Sequence, residues 1–406
     1  MAPDRTGQII TFYSYKGGTG RSMALANAAW VLASNGKHVL VVDWDLEAPG
    51  LHRYFHPFLL DKELTGTPGV LDLMWDFAAA AMDPGGSKAP DWYEPYADVE
   101  EYAVSLRHQF PENGAIDILG AGVQDVAYAT RVGSFDWGNF YTRLGGGVFL
   151  EAVKRSMKSV YDYVLIDSRT GLSDTAGICT VQLPDILVVG FTLNNQSIAG
   201  ASAVANSVRD QRKDMPIFPV PMRVEDGETA KLEAGHDYAR ASFESLLDGW
   251  DETSRDRYWG DVEVRYRMLY AYEEILAAVG ERPHSQSILA ASERLISYLT
   301  HGEVVETVAM DEVERRRLLL QFERPPPIKT GADIYLSYHR SDRAWAQWVL
   351  TQLEDAGYSV LVDVRDFEPG SDFELSMRRA QESATATVVL LSPAYGTSEF
   401  TDTELT

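Results

Sequence analysis

The chain has 406 residues, of which 45% are hydrophobic and 24% are charged, a composition typical of a globular protein with two or three domains. Its 36 basic and 60 acidic residues give a formal net charge of −24 at pH 7. Binding to nucleic acid or to an anionic membrane surface needs a basic face, so this charge argues against both kinds of partner. The single cysteine, Cys179, excludes a disulfide framework and a thiolate zinc site.

The hydropathy of the chain bears on its location. The first residues have neither the basic segment nor the apolar segment of a signal peptide. No apolar run reaches the ~20 residues that a membrane span needs. We therefore expect a cytoplasmic protein.

Short apolar runs alternate with helical patterns through the first two-thirds of the chain. These runs are rich in Val, Ile and Leu and have little polar alternation, which is typical of parallel strands that are covered on both faces. Strands are predicted at residues 9–14, 38–43, 115–121, 163–168, 185–191 and 217–222, with a helix at 22–34 after the first. The pattern predicts an α/β fold with a doubly wound, mostly parallel sheet.

Changes in composition predict two domains. We assign residues 1–322 to the first domain, with an insertion at about 52–113 and a helical extension at about 225–322. The insertion is predicted to contain a helix at Val70–Met82. Three consecutive prolines make residues 323–332 a stiff linker. A second α/β rhythm follows in residues 333–406, with strands at 332–338, 358–364 and 385–392 and helices at 342–357 and 372–384.

The sequence SYKGGTGRS at residues 14–22 follows a predicted strand and opens a predicted helix, the context of a phosphate-binding loop. Glycines at 17, 18 and 20 allow backbone N–H groups to turn inward around an anion. The helix N-terminus adds positive potential, and Ser22 supplies a hydroxyl suited to Mg²⁺. Asp43 and Asp45 end the second strand beside this loop, and Asp167 ends the fourth.

These motifs resemble the deviant Walker A loop of the MinD/ParA class of P-loop ATPases. The resemblance implies ATP and Mg²⁺ as cofactors, with Arg21 in place of the phosphate-binding lysine. It implies a homodimer in which Lys16 reaches the partner's nucleotide, and catalytic roles for Lys16, Arg21 and Asp45, with Asp45 orienting the attacking water. It assigns Mg²⁺ to Ser22, Asp43 and Asp167. The implied nucleotide-binding residues are Lys16, Gly17, Gly18, Thr19, Gly20, Arg21, Ser22, Met23, Gly171, Pro221 and Arg223.

Three segments of the second domain resemble a TIR domain, which implies a flavodoxin-like fold. They are residues 333–342, residues 364–371 and residues 391–400. The resemblance implies self-association or binding to partner TIR domains. It also points to Glu404 as the candidate glutamate for NAD⁺ cleavage, although the TIR-like segment is incomplete and NAD⁺ hydrolysis is not expected of this chain. Trp345 and Trp348 are predicted to be core or interface aromatics.

The combined order of motifs is similar to the N-terminal part of the actinobacterial FxSxx-COOH system tetratricopeptide-repeat proteins. This resemblance implies a piece of a longer bacterial signalling or defence-type protein. The leading hypothesis is a Mg²⁺/ATP-dependent switch, a slow hydrolase that controls the TIR module. Two alternatives remain open: a nucleotide-binding scaffold that does not hydrolyse, and an NAD⁺ hydrolase that the ATPase domain regulates. The choice between ATP and GTP is also open.

Overall fold

A large, mostly parallel sheet forms the centre of the first of two units, Met1–Glu323 and Arg324–Thr406, in this computed structural model. The structure describes residues 6–83, 89–171, 177–225, 227, 229–282, 284–322, 333–362 and 384–395. Within those residues, no helix is both long enough and apolar enough to cross a membrane. Glu404, the predicted linker at 323–332 and the TIR-like segment at 364–371 lie outside the described residues.

The sheet of the first unit has eight strands in the order β3-β4-β2-β5-β1-β6-β7-β8. Among the described strands of this sheet, only β3 pairs antiparallel with its neighbour. The strands are β1 (Gln8–Ser14), β2 (His38–Asp43), β3 (Val104–Ser105), β4 (Ala115–Leu119), β5 (Tyr163–Asp167), β6 (Ile186–Phe191), β7 (Ile217–Val224) and β8 (Val264–Arg265). The predicted α/β class with a doubly wound, mostly parallel sheet is therefore confirmed, and each of the six predicted strands is present.

Helices cover both faces of the sheet. They are α1 (Arg21–Ser34), α2 (Val70–Met82), α3 (Tyr128–Ser134), α4 (Trp137–Thr142), α5 (Gly146–Val160), α6 (Asn195–Gln211), α7 (Thr229–Ser242), α8 (Glu252–Asp261), α9 (Leu269–Tyr272), α10 (Ala277–Gly280), α11 (Ile288–Leu299) and α12 (Glu312–Phe322). Ile10 packs in one apolar cluster with residues of α1 and α6, and the adjacent Ile9 packs in another with residues of α2 and α5. Because successive strand residues point to opposite faces, two cores form from one sheet.

Two features of this unit differ from the sequence pattern, and one further prediction is confirmed. The strands β3 and β8 have two residues each, too few for a hydrophobic pattern to reveal. The helical pattern at residues 271–280 gives only the short helices α9 and α10, because Glu273 has an extended backbone between them. The helix predicted at Val70–Met82 is present with these bounds.

The second unit contains a parallel three-stranded sheet in the order β10-β9-β11. Its described elements are β9 (Ile334–Ser337), α13 (Arg343–Asp355), β10 (Val360–Val362) and β11 (Ala386–Val389). Leu336 of β9 packs in a small core with Leu350 of α13. Trp345 and Trp348 are 68% and 58% exposed, so they are not core residues.

Candidate functional site

The loop at residues 14–22 joins β1, which lies between β5 and β6 in the sheet, to α1. Gly18 and Gly20 have φ of 71° and 96°, in the left-handed region where a side chain would be strained. Gly20 precedes the first residue of α1, so the helix N-terminus points its free N–H groups toward the loop. The backbone is thus arranged to receive an anion.

A cavity of about 550 Å³ opens above this loop. Nine of the site residues predicted from the sequence line it, namely Gly17, Gly18, Thr19, Gly20, Arg21, Ser22, Met23, Asp45 and Arg223. Thr19 Oγ1 and Arg21 Nη1 are buried and have no hydrogen-bond partner among the described residues. Two unsatisfied donors at the base of a cavity are suited to oxygen atoms of a bound phosphate.

Arg21 is held by two carboxylates. Its Nη2 donates to Asp45 Oδ2 at 2.9 Å, and its Nε donates to Asp167 Oδ1. Ser22 Oγ also donates to Asp167. Arg21 is 6% exposed and Asp167 is 1% exposed, so this is a largely buried network. The two acids therefore offset much of the positive charge that Arg21 brings to the loop.

Asp43 lies beside Asp167, because β2 and β5 pair in a register that aligns these two residues. Asp43 Oδ2 accepts from the N–H groups of Gly50 and Leu51, both at 3.0 Å. Burial, together with the nearby charge of Asp167, raises the pKa of Asp43 to about 7. Burial also raises the pKa of Asp167, and the charge of Arg21 opposes this shift. Asp43 thus orders the loop that carries Asp45.

The other predicted site residues lie outside the cavity lining. Lys16 Nζ donates to the side-chain oxygen of Gln196, at the start of α6. Gly171 has a φ of 78°, and its carbonyl oxygen accepts from Tyr13 Oη at 3.1 Å. Pro221 pairs with Phe191 inside the sheet.

Sequence reasoning missed part of the cavity wall. Tyr54, Arg265, Tyr266, Arg267, Tyr270 and Ile288 also line it. The alternation of Arg and Tyr at residues 265–267 is a signal that could have indicated an anion-binding wall. On another side, Arg169 and Glu47 form an ion pair of 2.7 Å that joins the loop after β5 to the loop after β2.

A magnesium nucleotide fits these residues. The glycines, the helix N-terminus and the unsatisfied donors of Thr19 and Arg21 suit the phosphates. Among the described residues, no group of three or more His, Cys, Asp or Glu side chains is placed to hold a metal ion. Mg²⁺ usually takes one or two protein ligands and completes its shell with phosphate oxygens and water. The Ser22 hydroxyl and the adjacent Asp167 carboxylate suit that role.

Residues 334–406 match the family model of the TIR domain. Solved structures similar to the chain include the cell division ATPase MinD of Pyrococcus furiosus, with 17% identity, 73% of this chain and 99% of that chain covered, and a TM-score of 0.45. MinD of Pyrococcus horikoshii, solved with Mg-ADP, has 19% identity, coverages of 73% and 98%, and a TM-score of 0.43. The pnob8 ParA structure has 16% identity, coverages of 78% and 94%, and a TM-score of 0.43.

The structural neighbours over the larger part of the chain are thus MinD and ParA ATPases, and its end matches a TIR domain. Comparison with curated proteins gives no significant match. With identities under 20% and TM-scores below 0.5, the structural likeness does not carry a function. The function proposed below therefore rests on the residues of the cavity.

Proposed function

We propose that the chain is a Mg²⁺/ATP-dependent molecular switch with slow ATP hydrolysis. The observation that carries this proposal is the cavity of about 550 Å³ above the glycine loop, with the unsatisfied buried donors of Thr19 and Arg21 in its lining. Such donors cost free energy unless an acceptor arrives, which favours a ligand rich in oxygen atoms. The N-terminus of α1 adds the preference for negative charge.

Each residue of the loop has a role in this proposal. Backbone N–H groups of residues 17–22 hold the phosphate chain, and Arg21 Nη1 adds one charged donor. Ser22 and Asp167 hold Mg²⁺ directly or through water, and Asp43 keeps the loop at residues 43–51 in place. Bound Mg²⁺ would neutralise charge on the phosphate oxygens. Asp45 orients the attacking water once its ion pair with Arg21 opens, and that requirement is a physical reason for slow turnover.

The switch is proposed to act through a homodimer and the TIR-like unit. Lys16 is bonded to Gln196 within one chain, and in the dimer its ammonium group would turn to the partner's nucleotide. Nucleotide binding would order the loops that carry Asp45 and Gly171, and this change would control self-association of the TIR-like unit or its binding to partner TIR domains. In this proposal the protein is cytoplasmic and belongs to a bacterial signalling or defence system.

A second candidate is a nucleotide-binding scaffold that assembles without hydrolysis. The ion pair between Arg21 and Asp45 favours it, because a carboxylate held at 2.9 Å by a guanidinium is not available to orient water. The NAD⁺ hydrolase alternative depends on Glu404, and no described contact favours it. Loss of NAD⁺ that Glu404→Ala abolishes would support that alternative.

Calorimetric titration with ATP-Mg²⁺ and GTP-Mg²⁺, with light scattering on the same samples, tests binding, nucleotide choice and dimerisation. Phosphate release by the wild type, by Asp45→Ala and by an acidic control outside the cavity lining, Glu94→Ala, tests hydrolysis. The switch predicts release that Asp45→Ala abolishes and Glu94→Ala preserves. Equal rates for the wild type and Asp45→Ala contradict the role of Asp45. Tight binding without release favours the scaffold, and absence of binding refutes both proposals.

A further inference from the structure

Arg223 lies at an irregularity in the sheet, next to the cavity. Where β7 pairs with β8, Met222 is opposite Val264 and Val224 is opposite Arg265, so Arg223 is an extra residue in β7. Its φ is 53°, a left-handed value that is uncommon for a residue with a side chain. Bulges often re-aim a side chain beside a functional site. This bulge therefore sets the direction of the Arg223 side chain.

The side chain of Arg223 runs along the glycine loop. Its Nη1 donates to the Gly18 carbonyl oxygen at 2.7 Å, and its Cγ lies 3.9 Å from where a Cβ on Gly20 would be. The guanidinium carbon also lies 4.9 Å from the centre of the Tyr266 ring. Arg223 is exposed and lines the cavity. Contacts with the loop and with Tyr266 thus hold a charged group at the cavity mouth.

Three arginines at the cavity differ in whether their partners are charged or neutral. Arg21 shares its charge with Asp45 and Asp167, and Arg169 pairs with Glu47 at 2.7 Å. Arg223, in contrast, donates to a neutral carbonyl oxygen and lies against a neutral ring. A carbonyl oxygen offsets far less positive charge than a carboxylate does. Arg223 therefore retains more net positive charge toward the cavity than Arg21 does.

We propose that Arg223 is the main cationic contact that side chains against the glycine loop offer to the nucleotide's phosphate chain, the role that the loop position of Arg21 would otherwise supply. The inference rests on the proposed function, since it concerns the same cavity. An arginine has five N–H donors in a planar fork, so Nη1 can keep its bond to Gly18 while other N–H groups bind phosphate oxygens. Tyr266 restricts the side chain and lowers the entropy lost on binding.

The test is ATP-Mg²⁺ affinity, measured by calorimetry on the full chain, for the wild type and for Arg223→Gly, Arg223→Ala and Arg223→Lys. Glycine adopts a φ of 53° without strain, so Arg223→Gly should fold at least as well as the wild type, as chemical denaturation would show. Arg155→Ala is the matched control, because Arg155 is an exposed arginine on α5 that pairs with Glu94. Each titration is repeated at several salt concentrations.

We expect Arg223→Gly and Arg223→Ala to weaken binding by roughly 10–100-fold, as for loss of a charged hydrogen bond. Binding should also become less sensitive to salt, and Arg223→Lys should recover part of the affinity. If the wild type binds and the glycine variant binds equally well, this inference fails and the proposed function stands. Equal losses of ATP-Mg²⁺ affinity in the lysine and glycine variants would also overturn it, because the positive charge would then make no contribution and a structural role of Arg223 would explain both losses. A wild type that binds no nucleotide refutes both.

Discussion

Arg21 and Asp45 form an ion pair across the base of the cavity, with Nη2 and Oδ2 2.9 Å apart. The same guanidinium bonds Asp167, at the end of a different strand. The residue that the motif assigns to phosphate and the residue that it assigns to water are thus joined to each other. Arg21 Nη1 remains without a partner among the described residues, whereas Asp45 can orient water only if this network rearranges.

The first prediction concerns the stability of the Arg21 network. Arg21→Ala should lower the free energy of unfolding by about 3–5 kcal/mol, because it leaves the buried Asp167 carboxylate without its cation. Denaturant unfolding monitored by circular dichroism measures this loss. Arg155→Ala removes an exposed arginine and should change the value by less than about 1 kcal/mol. A small loss in Arg21→Ala would show that the network does not stabilise the fold.

A second prediction concerns the ion pair between Glu47 and Arg169. The side chains are 55% and 32% exposed, so Glu47→Gln should change the unfolding free energy by less than about 1 kcal/mol. It removes a negative charge from the cavity wall and releases Arg169, so ATP-Mg²⁺ affinity should rise by roughly 2–5-fold. Calorimetry checks this, with Glu94→Gln as the control outside the cavity. Weaker binding by Glu47→Gln would contradict the prediction.

The third prediction concerns a buried hydrogen bond between α1 and the first residue of α10. Asn27 is fully buried; its Nδ2 donates to Met23 O at 2.8 Å, and its Oδ1 accepts from Ala277 N at 2.6 Å. Asn27→Leu leaves the buried N–H of Ala277 without an acceptor and should cost about 1–3 kcal/mol. Thermal or chemical unfolding measures the loss. Asn35→Leu, just after the end of the same helix, should lower the free energy of unfolding by less. Equal losses would show that the unpaired N–H of Ala277 is not the cause.

The fourth prediction concerns Gly200 on α6. A Cβ at this position would overlap the ring of Tyr15, which precedes Lys16 in the loop. Gly200→Ala should therefore displace Tyr15, destabilise the fold by about 1–3 kcal/mol and weaken nucleotide binding. Gly177→Ala is the matched control, because a Cβ there meets none of the described residues within 4 Å. Identical unfolding curves and affinities for the two variants would refute the prediction.

The fifth prediction is a pH dependence. A hydrogen bond from Lys37 lowers the pKa of Glu303 below its ordinary value of 4.5. A carboxylate whose pKa is lower in the folded state adds stability above its unfolded pKa, and this gain disappears as the pH falls through the folded pKa. Solvent screening limits it, so Glu303→Gln should cost about 0.5 kcal/mol at pH 7 and nothing at low pH. A constant difference across that pH range, measured by chemical unfolding, would contradict this assignment.

Much of the fold could be predicted because its buried strands are continuous apolar runs and the glycine loop has a distinctive spacing. The side-chain partners in the site could not. Arg21 meets Asp167 only because β1 pairs with β5 in one particular register. Lys16 and Gln196, 180 residues apart in sequence, meet only once β1 and β6 are neighbours. The same limit applies to Arg223, whose direction depends on a bulge that no local pattern reveals.

The position of β1 also affects the order of folding during synthesis. This strand precedes β5 and β6 in the chain, yet it lies between them in the sheet, and they end at Asp167 and Phe191. Its second neighbour is therefore absent until β6 has been synthesised. Contacts between residues so distant in sequence form slowly. The glycine loop precedes both neighbouring strands in the chain, so it can take its anion-binding shape only after β6 has been made, and a nascent chain would carry it unformed until then.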